Sequence, residues 1–198
     1  MNVSAWISVS LDGVMQAPAR TDEDRRGGFE HGGWGQPYAD AVSGARAGRS
    51  TSEADDGALL FGRRTYEDFY SVWPKRTDGN VFTEVLNRRK KYVASRTLEE
   101  PLPWANSTLL KGDAEETVAE LKAGPGGSLL VLGSGELLRS LMRCDLVDEY
   151  TLLITPLVLG SGRRLFDDCG PHLDFQLMEE TKTTTGVIIA TYRRRRSL

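Results

Sequence analysis

The feature that most constrains the fold of this chain is an alternation of short apolar runs with segments of helical periodicity. The run Ser128–Leu132 is apolar at almost every position, as strands buried on both faces of a sheet tend to be. The segment that follows repeats apolar residues at helical spacing, at Leu137, Leu138, Leu141 and Met142. Strands that alternate with helices in this way predict an α/β fold with a mostly parallel sheet.

The rest of the chain extends this pattern. Further strands are predicted at Asn2–Ser10, Ala58–Phe61, Lys91–Ala94, Ser107–Leu110 and Tyr150–Ile154. Helices are predicted at Pro37–Ala47, at Arg63–Tyr70 and from an Asp113 N-cap, with Glu116 as its capping-box partner, to Ala123. Two C-terminal strands, Phe175–Glu180 and Gly186–Arg193, are expected to pair antiparallel. The predicted architecture is a mixed central sheet, mostly parallel, with helices on both faces and an antiparallel C-terminal edge.

The length and net charge of the chain limit the classes of protein to which it can belong. A chain of 198 residues fits one domain, which we expect to span residues 1–198. The net charge of -3 gives no basic surface of the kind that nucleic-acid partners favour. The sequence has neither a membrane-spanning apolar run of about 20 residues nor the pattern of a secretion signal. We therefore expect a cytoplasmic protein with no membrane partner, in which Cys144 and Cys169 are free buried thiols.

A glycine-rich segment interrupts the regular pattern at residues 16–57. Charged residues are frequent in it, and the aromatic residues Phe29, Trp34 and Tyr38 are spaced among them. Long segments of this kind inside a compact domain are usually functional. We expect a variable substrate loop or lid here, with these aromatic side chains lining a substrate pocket.

The first of two strand-to-helix junctions carries residues suited to phosphate. Gly62 ends a strand and removes a Cβ that would block a ligand. The helix that follows offers unpaired amides and a partial positive charge, and Thr65 adds a hydroxyl donor. Arg63 and Arg64 add forked guanidinium donors. A solvated basic helix start after a tight turn explains the same residues, so both interpretations stay open.

The second junction is the segment Gly133–Leu137, whose small residues let backbone amides approach a diphosphate. Taken alone, Gly-Ser-Gly is more typical of a plain tight turn. Between the two junctions, another strand ends in Ser95 and Arg96, a hydroxyl and a guanidinium. Because the carboxyl ends of parallel strands meet at one edge of a sheet, the three strand ends together predict a phosphate-rich cofactor.

These motifs resemble a known family. Gly62–Glu67, Ser95–Arg96 and Gly133–Gly135 look like the cofactor half of dihydrofolate reductases. Ser10–Gly13 near the start, with residues 148–162 near the end, is more similar to the reductase domain of the bifunctional riboflavin-biosynthesis deaminase/reductase. The H-x-E and P-C-x-x-C signature of the deaminase is absent from the sequence, so we expect a stand-alone reductase domain.

The resemblance implies the dihydrofolate-reductase fold, NADPH as hydride donor and a homodimer. By the same resemblance, Gly62, Arg63, Arg64 and Thr65 would hold the adenosine phosphate and the diphosphate, and Ser95 and Arg96 would flank the 2′-phosphate. Gly133, Ser134, Gly135, Glu136 and Leu137 would line the diphosphate and the nicotinamide. Val14, Met15 and Gln16 would close over the nicotinamide ring.

Two carboxylates are candidates for a catalytic role. Asp12, at the end of the first strand, could orient substrate or relay a proton, and a turn residue before Gly13 explains it equally well. Asp40 is the nearest candidate for the carboxylate with which dihydrofolate reductases handle the pterin, but the inserted loop offsets its spacing.

Three functions follow as hypotheses. The first is an NADPH-dependent reductase of a small heterocyclic molecule, most like 5-amino-6-(5-phosphoribosylamino)uracil reductase of riboflavin biosynthesis. The others are a dihydrofolate (pterin) reductase and a non-catalytic NADPH-binding regulatory protein on the same scaffold. Leu157–Gly162 matches the riboflavin enzyme better than a folate enzyme and therefore favours the first.

Overall fold

The computed structural model describes residues 1–52, 57–166 and 170–196. Its strands are β1 (Asn2–Ser10), β2 (Ala58–Gly62), β3 (Lys91–Ala94), β4 (Ser107–Leu110), β5 (Ser128–Leu132), β6 (Glu149–Thr155), β7 (Asp174–Lys182) and β8 (Ile188–Arg195). They form a sheet in the order β4-β3-β2-β5-β1-β6-β8-β7. Pairing is parallel between β2 and β3, β2 and β5, and β3 and β4, and antiparallel where β8 meets β6 and β7. The predicted mixed sheet with an antiparallel C-terminal edge is confirmed.

The helices agree with the sequence prediction except in two places. They are α1 (Ala41–Ser52), α2 (Arg63–Val72), α3 (Val81–Arg88), α4 (Ala114–Ala123) and α5 (Gly135–Arg143). α1 starts later than predicted, because Gln36–Tyr38 forms a separate 3-10 turn. α3 is absent from the prediction. Its start signal is Asn80, whose side chain accepts a hydrogen bond from the Phe82 amide.

The chain divides into two compact units, of which the first comprises Met1–Ala5 and Ala45–Asp148. All residues from Ala58 to Phe61 on β2 are buried, which explains the uninterrupted apolar run of this strand. In the parallel register, Gly62 lies opposite Ala94 and Leu60 lies opposite Val131. The ends of β2, β3 and β5 therefore lie along one edge of the first unit.

The second unit comprises Trp6–Gly44 and Glu149–Leu198. A hydrophobic cluster of Val14, Ala17, Phe29 and Trp34, against which Leu157 and Leu159 pack, organises its glycine-rich segment. Phe29 and Trp34 are only 5% and 7% exposed. They form core rather than the expected wall of a substrate pocket, because the loop folds back onto its own aromatic residues.

Two local predictions need correction. Asp113 is the N-cap residue of α4, as predicted, but its side chain makes no capping hydrogen bond, and its carboxylate lies 3.7 Å from the guanidinium of Arg96. Cys144, which ends α5, is exposed rather than buried. Cys169 lies outside the described residues.

Candidate functional site

The junction between β2 and α2 presents a helix N-terminus without a capping side chain. Gly62 occupies the N-cap position, and the first turn of α2 contains no acidic residue, so the positive end of the helix is not neutralised locally. A Cβ built on Gly62 would meet only ordinary contacts, the nearest being Leu137 Cβ at 3.5 Å. Packing between protein atoms therefore gives no reason for a glycine at this position.

The two guanidinium groups of this turn differ in their partners. Arg63 Nη1 donates to Thr97 Oγ1 at 2.8 Å, and Arg63 Nε lies 3.7 Å from the carboxylate of Glu67. Arg64 is exposed and has no hydrogen-bond or ion-pair partner among the described residues. Arg63 thus attaches α2 to the turn after β3, whereas Arg64 is available to an anionic ligand.

The junction between β5 and α5 has left-handed backbone at two successive positions. Gly133 has a φ of 56° and Ser134 a φ of 53°. Glycine adopts this conformation freely, whereas a serine there costs about 1 kcal/mol. Ser134 stands at the N-cap of α5, and its side chain makes no capping hydrogen bond. Its hydroxyl has a different partner.

Ser134 links the two junctions by two hydrogen bonds, one that it accepts and one that it donates. The amide of Gly62 donates to Ser134 Oγ at 2.9 Å, and the amide of Ser134 donates to Thr65 Oγ1 at 3.2 Å. Ser134 is 9% exposed, so these bonds form in a largely dry environment. The structure therefore brings together Gly62, Thr65 and Ser134, as the convergence of strand ends predicts.

The end of β3 lies beside the first junction and forms its own turn. Ser95 Oγ accepts hydrogen bonds from the amides of Thr97 and Leu98, each at 3.1 Å. Arg96 is 79% exposed and lies 3.7 Å from the carboxylate of Asp113. Ser95 thus shapes the turn, and the side chain of Arg96 extends into solvent next to it. Through Thr97, this turn contacts Arg63.

The remaining predicted residues of the second junction begin α5. Gly135 is its first residue, and Glu136 lies 3.7 Å from Arg139 one turn later. Leu137 is 9% exposed and packs beside Gly62. Glu136 therefore has a local ionic partner, whereas Leu137 contributes to the packing between the two junctions.

Asp12, in the second unit, is bound from several sides. Its carboxylate accepts hydrogen bonds from Ser10 Oγ at 2.7 Å, the Leu159 amide at 3.1 Å and the Gly160 amide at 2.9 Å. Arg164 Nη2 lies 3.4 Å away. The Ser10 hydroxyl, more than the two amides, holds the pKa of Asp12 well below its ordinary value. A carboxylate held in this way stays ionised at neutral pH and cannot serve there as a proton donor.

Asp40 caps α1 and attaches it to the turn between β7 and β8. Its carboxylate accepts from the Ser43 amide at 2.8 Å and from the amide and hydroxyl of Thr184 at 2.8 and 2.7 Å. These hydrogen bonds, that of the Ser43 amide foremost, lower the pKa of Asp40 to about 2. Ser43 Oγ returns a bond by accepting from the Asp40 amide. This reciprocal pair is a capping arrangement.

Val14, Met15 and Gln16 are buried and hydrogen-bonded within the second unit. The Met15 amide donates to the Arg163 carbonyl at 2.9 Å. Gln16 Oε1 accepts from the Arg163 amide, while Gln16 Nε2 donates to the carbonyls of Asp24 and Arg26. The polar groups of Gln16 and the amide of Met15 thus have partners within the second unit. The organising role of Gln16 has no sequence signal, because Arg163 lies 147 positions away and the other two partners are backbone carbonyls, which every residue has.

Lys91 is a buried cation outside the predicted site. Its Nζ donates to the carbonyls of Arg89 at 2.8 Å, Ala105 at 3.0 Å and Asn87 at 3.3 Å, and lies 4.5 Å from the ring centre of Trp104. Burial lowers the pKa of Lys91 to about 8. The residue starts β3, whereas the candidate site lies where the strands end, so we assign it a structural role.

The residues that the structure describes offer neither a metal centre nor a membrane span. Among the residues that the structure describes, no group of three histidine, cysteine or acidic side chains could hold a metal ion. Within the same residues, no helix is both long and apolar enough to span a bilayer.

Comparison with known proteins gives a family match. The model of the RibD C-terminal domain matches residues 2–189. In sequence, YyaP of Bacillus subtilis (strain 168), an uncharacterised protein, is 29% identical over 140 residues, which cover 68% of this chain and 72% of YyaP. YwjB of the same organism, also uncharacterised, is 34% identical over 61 residues, or 31% of this chain and 35% of YwjB.

Solved structures resemble the whole chain. A candidate riboflavin biosynthesis protein from Shewanella sp. PV-4 superimposes with a TM-score of 0.66 at 22% identity, covering 99% of this chain and 100% of its own. A pyrimidine reductase-like protein from Corynebacterium diphtheriae gives a TM-score of 0.67 at 14% identity, covering 99% and 92%. At these identities, the likeness establishes a shared fold.

Proposed function

Because this chain belongs to the RibD C-terminal domain family, we propose that it is an NADPH-dependent reductase of a ribose-bearing pyrimidine. The class of substrate is that of 5-amino-6-(5-phosphoribosylamino)uracil. The observation that carries the proposal is the link between the β2–α2 and β5–α5 junctions through Ser134, Gly62 and Thr65. This link holds the starts of α2 and α5 together at the ends of the neighbouring parallel strands β2 and β5. Helix starts at the ends of parallel strands are favourable sites for a diphosphate.

The residues at the first junction fit a phosphate-bearing cofactor. A glycine that protein packing does not require leaves room for close approach to the backbone at Gly62. Arg64 adds a guanidinium group that has no partner among the described residues. Arg96 adds a second, exposed guanidinium group just after β3, the strand that pairs with β2. Two cations and helix amides suit a dinucleotide that carries an additional 2′-phosphate.

The chemistry divides between cofactor and chain. When bound, NADPH supplies the hydride. The residues at the ends of β2, β3 and β5 bind and orient it. Asp12 stays ionised and fixes the segment Leu159–Arg164, so we propose that it orients this segment rather than donating a proton.

The test is a side-by-side assay of NADPH oxidation with the aminopyrimidine phosphoribosyl compound and with dihydrofolate. We expect turnover of the first and none of the second, with NADPH bound more tightly than NADH. Equal dissociation constants for the two cofactors would contradict the cofactor assignment. Turnover of dihydrofolate that is abolished by Asp40→Asn and unaffected by Asp12→Asn would instead identify a pterin reductase.

A non-catalytic NADPH-binding protein is the second candidate function. The observation that favours it is that both candidate acids, Asp12 and Asp40, already accept hydrogen bonds from several protein donors. Such a protein would bind NADPH as tightly as NADPH-dependent enzymes do. It would not oxidise NADPH when any of the pyrimidine or pterin substrates is added. Cofactor binding without turnover across that panel would support it over the reductase.

We also propose that the protein is a homodimer. β7 is the last strand of the sheet, and the apolar side chains of Leu177, Met178 and Ile188 on β7 and β8 are 42% to 47% exposed. Proteins tend to cover an exposed edge of this kind. Light scattering at micromolar concentration should give about twice the chain mass of 21.9 kDa. A mass near one chain would refute the dimer.

A further inference from the structure

We infer that Asp113 is a specificity-determining residue that competes with the 2′-phosphate of the dinucleotide for the guanidinium group of Arg96. In the free protein Asp113 pairs with Arg96, and on NADPH binding its carboxylate leaves Arg96 and caps α4. This inference rests on the proposed NADPH-binding function. It goes further by identifying, within the chain itself, a group that weakens the preference for NADPH over NADH.

The strand pairing places Asp113 beside the turn that follows β3. β3 and β4 pair in parallel with Ala94 opposite Leu110, and the Ser95 amide donates to the Leu110 carbonyl at 3.2 Å. After β4 the chain passes through Gly112, whose φ of 118° favours glycine, and reaches Asp113 at the start of α4. Because the two parallel strands end side by side, the residues just after β4 lie next to those just after β3.

The contact between Arg96 and Asp113 is an exposed ion pair. Nη1 of Arg96 lies 3.7 Å from Oδ1 of Asp113, and the two side chains are 79% and 61% exposed. Exposed pairs of this kind contribute little to stability, because water screens the charges and both side chains lose freedom. A phosphate group carries about 1.5 to 2 negative charges at pH 7 and offers three acceptor oxygens. It therefore binds a guanidinium group more strongly than a solvated carboxylate does and displaces Asp113.

The backbone of Asp113 offers its carboxylate a second position. Its φ of -75° and ψ of 129° are those of an N-cap residue, and its carbonyl accepts from the Thr117 amide at 3.1 Å. Its side chain makes no capping hydrogen bond. An aspartate at an N-cap accepts from the second or third amide of the helix, which here belong to Glu115 and Glu116. A carboxylate that leaves Arg96 thus gains a capping bond, which offsets the loss of the ion pair.

The charge of Asp113 makes its effect specific to the cofactor that carries a 2′-phosphate. A carboxylate that stayed beside Arg96 would repel this phosphate, so NADPH binding favours the capping position. NADH has a hydroxyl in place of the 2′-phosphate and does not displace the carboxylate. Asp113 therefore lowers the affinity for NADPH and leaves the affinity for NADH unchanged.

The experiment is a fluorescence titration of the full chain with NADPH and with NADH, for the wild type and for Asp113→Asn. Asparagine caps a helix as well as aspartate does but has no charge with which to hold Arg96. We expect Asp113→Asn to lower the NADPH dissociation constant about threefold to fivefold and to leave the NADH constant unchanged. Glu120→Gln, at an exposed acid later in α4, is the matched control and should change neither constant.

A double-mutant cycle tests whether this gain depends on Arg96. Arg96→Ala should raise the NADPH dissociation constant about tenfold, as loss of a bond between charged groups does. Adding Asp113→Asn to Arg96→Ala should then give no further change, because the guanidinium group for which Asp113 competes is gone. An equal gain from Asp113→Asn in both backgrounds would overturn the inference, since Asp113 would then act by general repulsion.

Hydrogen exchange at the amides of Glu115 and Glu116 tests the capping step. Saturating NADPH should slow exchange there in the wild type, whereas in Asp113→Asn exchange should be slow with and without NADPH. Exchange that NADPH leaves unchanged in the wild type would overturn the inference.

Thermal unfolding of each variant checks that it is folded at the assay temperature. A wild type that binds NADPH more tightly than NADH, with an NADPH constant that Asp113→Asn does not change, would refute this inference alone. Failure of the wild type to bind NADPH at all would refute the proposed function, and the inference with it.

Discussion

The candidate site residues of the two units differ in how completely their own fold bonds them. In the first unit, the hydroxyls of Ser134 and Thr65 and the guanidinium of Arg64 keep hydrogens that no described residue accepts. In the second unit, Asp12, Gln16 and Asp40 each bond to several partners within the unit. Residue type alone suggested chemistry in both places. We therefore expect the incompletely bonded residues of the first unit, rather than Asp12 or Asp40, to contact a ligand.

The largest expected effect is on stability in the second unit. Asp12→Ala removes a carboxylate that accepts from Ser10, Leu159 and Gly160 and leaves two amides without an acceptor. We expect a loss of about 3 kcal/mol in the free energy of unfolding at pH 7, measured by urea denaturation. A loss below about 1 kcal/mol would show that this carboxylate does not hold the segment.

The pH dependence of that loss sharpens the test. The folded-state pKa of Asp12 lies below its ordinary value, so its contribution is complete above the unfolded pKa of about 4 and is lost as pH falls through the folded pKa. The difference in stability between wild type and Asp12→Ala should therefore be constant from pH 8 to about 5 and shrink only in stronger acid. A difference that changes near neutral pH would contradict this.

The next effect concerns Arg64 in the first unit. Arg64→Ala should raise the NADPH dissociation constant about tenfold, or by about 1.4 kcal/mol, and leave NADH binding unchanged, because only NADPH carries the 2′-phosphate. Fluorescence titration with both cofactors measures this. Lys75→Ala, at another exposed basic residue of the same unit, is the control and should change neither constant. Equal weakening for NADPH and NADH would place Arg64 elsewhere on the cofactor.

A smaller effect is expected at Asp40. Asp40→Asn keeps the shape of the side chain but weakens bonds to Ser43 and Thr184. The melting temperature should fall by less than half of the decrease expected for Asp12→Ala. The hydrogen bonds of Asp40 to Thr184 are exposed to solvent, and replacing a charged acceptor by a neutral one costs little at such a site. NADPH affinity should not change. Loss of cofactor affinity in this variant would break the distinction between the two units.

The smallest expected effect is no change at all. The amides of Leu11, Met15 and Leu165 already donate to backbone carbonyls of the same unit. Hydrogen exchange at these amides should therefore be the same with and without saturating NADPH. Strong protection on NADPH binding would show that the segment closes over the cofactor, as the family resemblance implies for Val14–Gln16.

Much of the first unit could be predicted from sequence because its signals are local. β3, β4 and β5 have the predicted bounds, since each is a short apolar run followed by a turn. The convergence of Gly62 with Ser134 follows from parallel pairing of β2 and β5. The direction of the bonds between them does not follow, because a serine hydroxyl can donate or accept and only tertiary geometry decides.

The second unit was harder to predict because its decisive contacts are non-local. Asp12 bonds to residues 147 and 148 positions away, and Asp40 to one 144 positions away. No periodicity or motif encodes such partners. In the first unit, Asp113 is a comparable case, because its carboxylate makes no local capping hydrogen bond and lies 3.7 Å from the guanidinium of Arg96.

The interleaved order of the two units has a consequence for how the chain matures. The first unit is complete in sequence once Asp148 has been synthesised, whereas the second needs both Trp6–Gly44 and Glu149–Leu198. The strands β2 to β5 of a nascent chain can therefore begin to pack while the chain is still on the ribosome. The carboxylate of Asp12 gains its hydrogen bonds from the Leu159 and Gly160 amides only after those residues have been synthesised. A chain terminated after Asp148 would carry residues 6–44 without the strands that pack with them in the second unit.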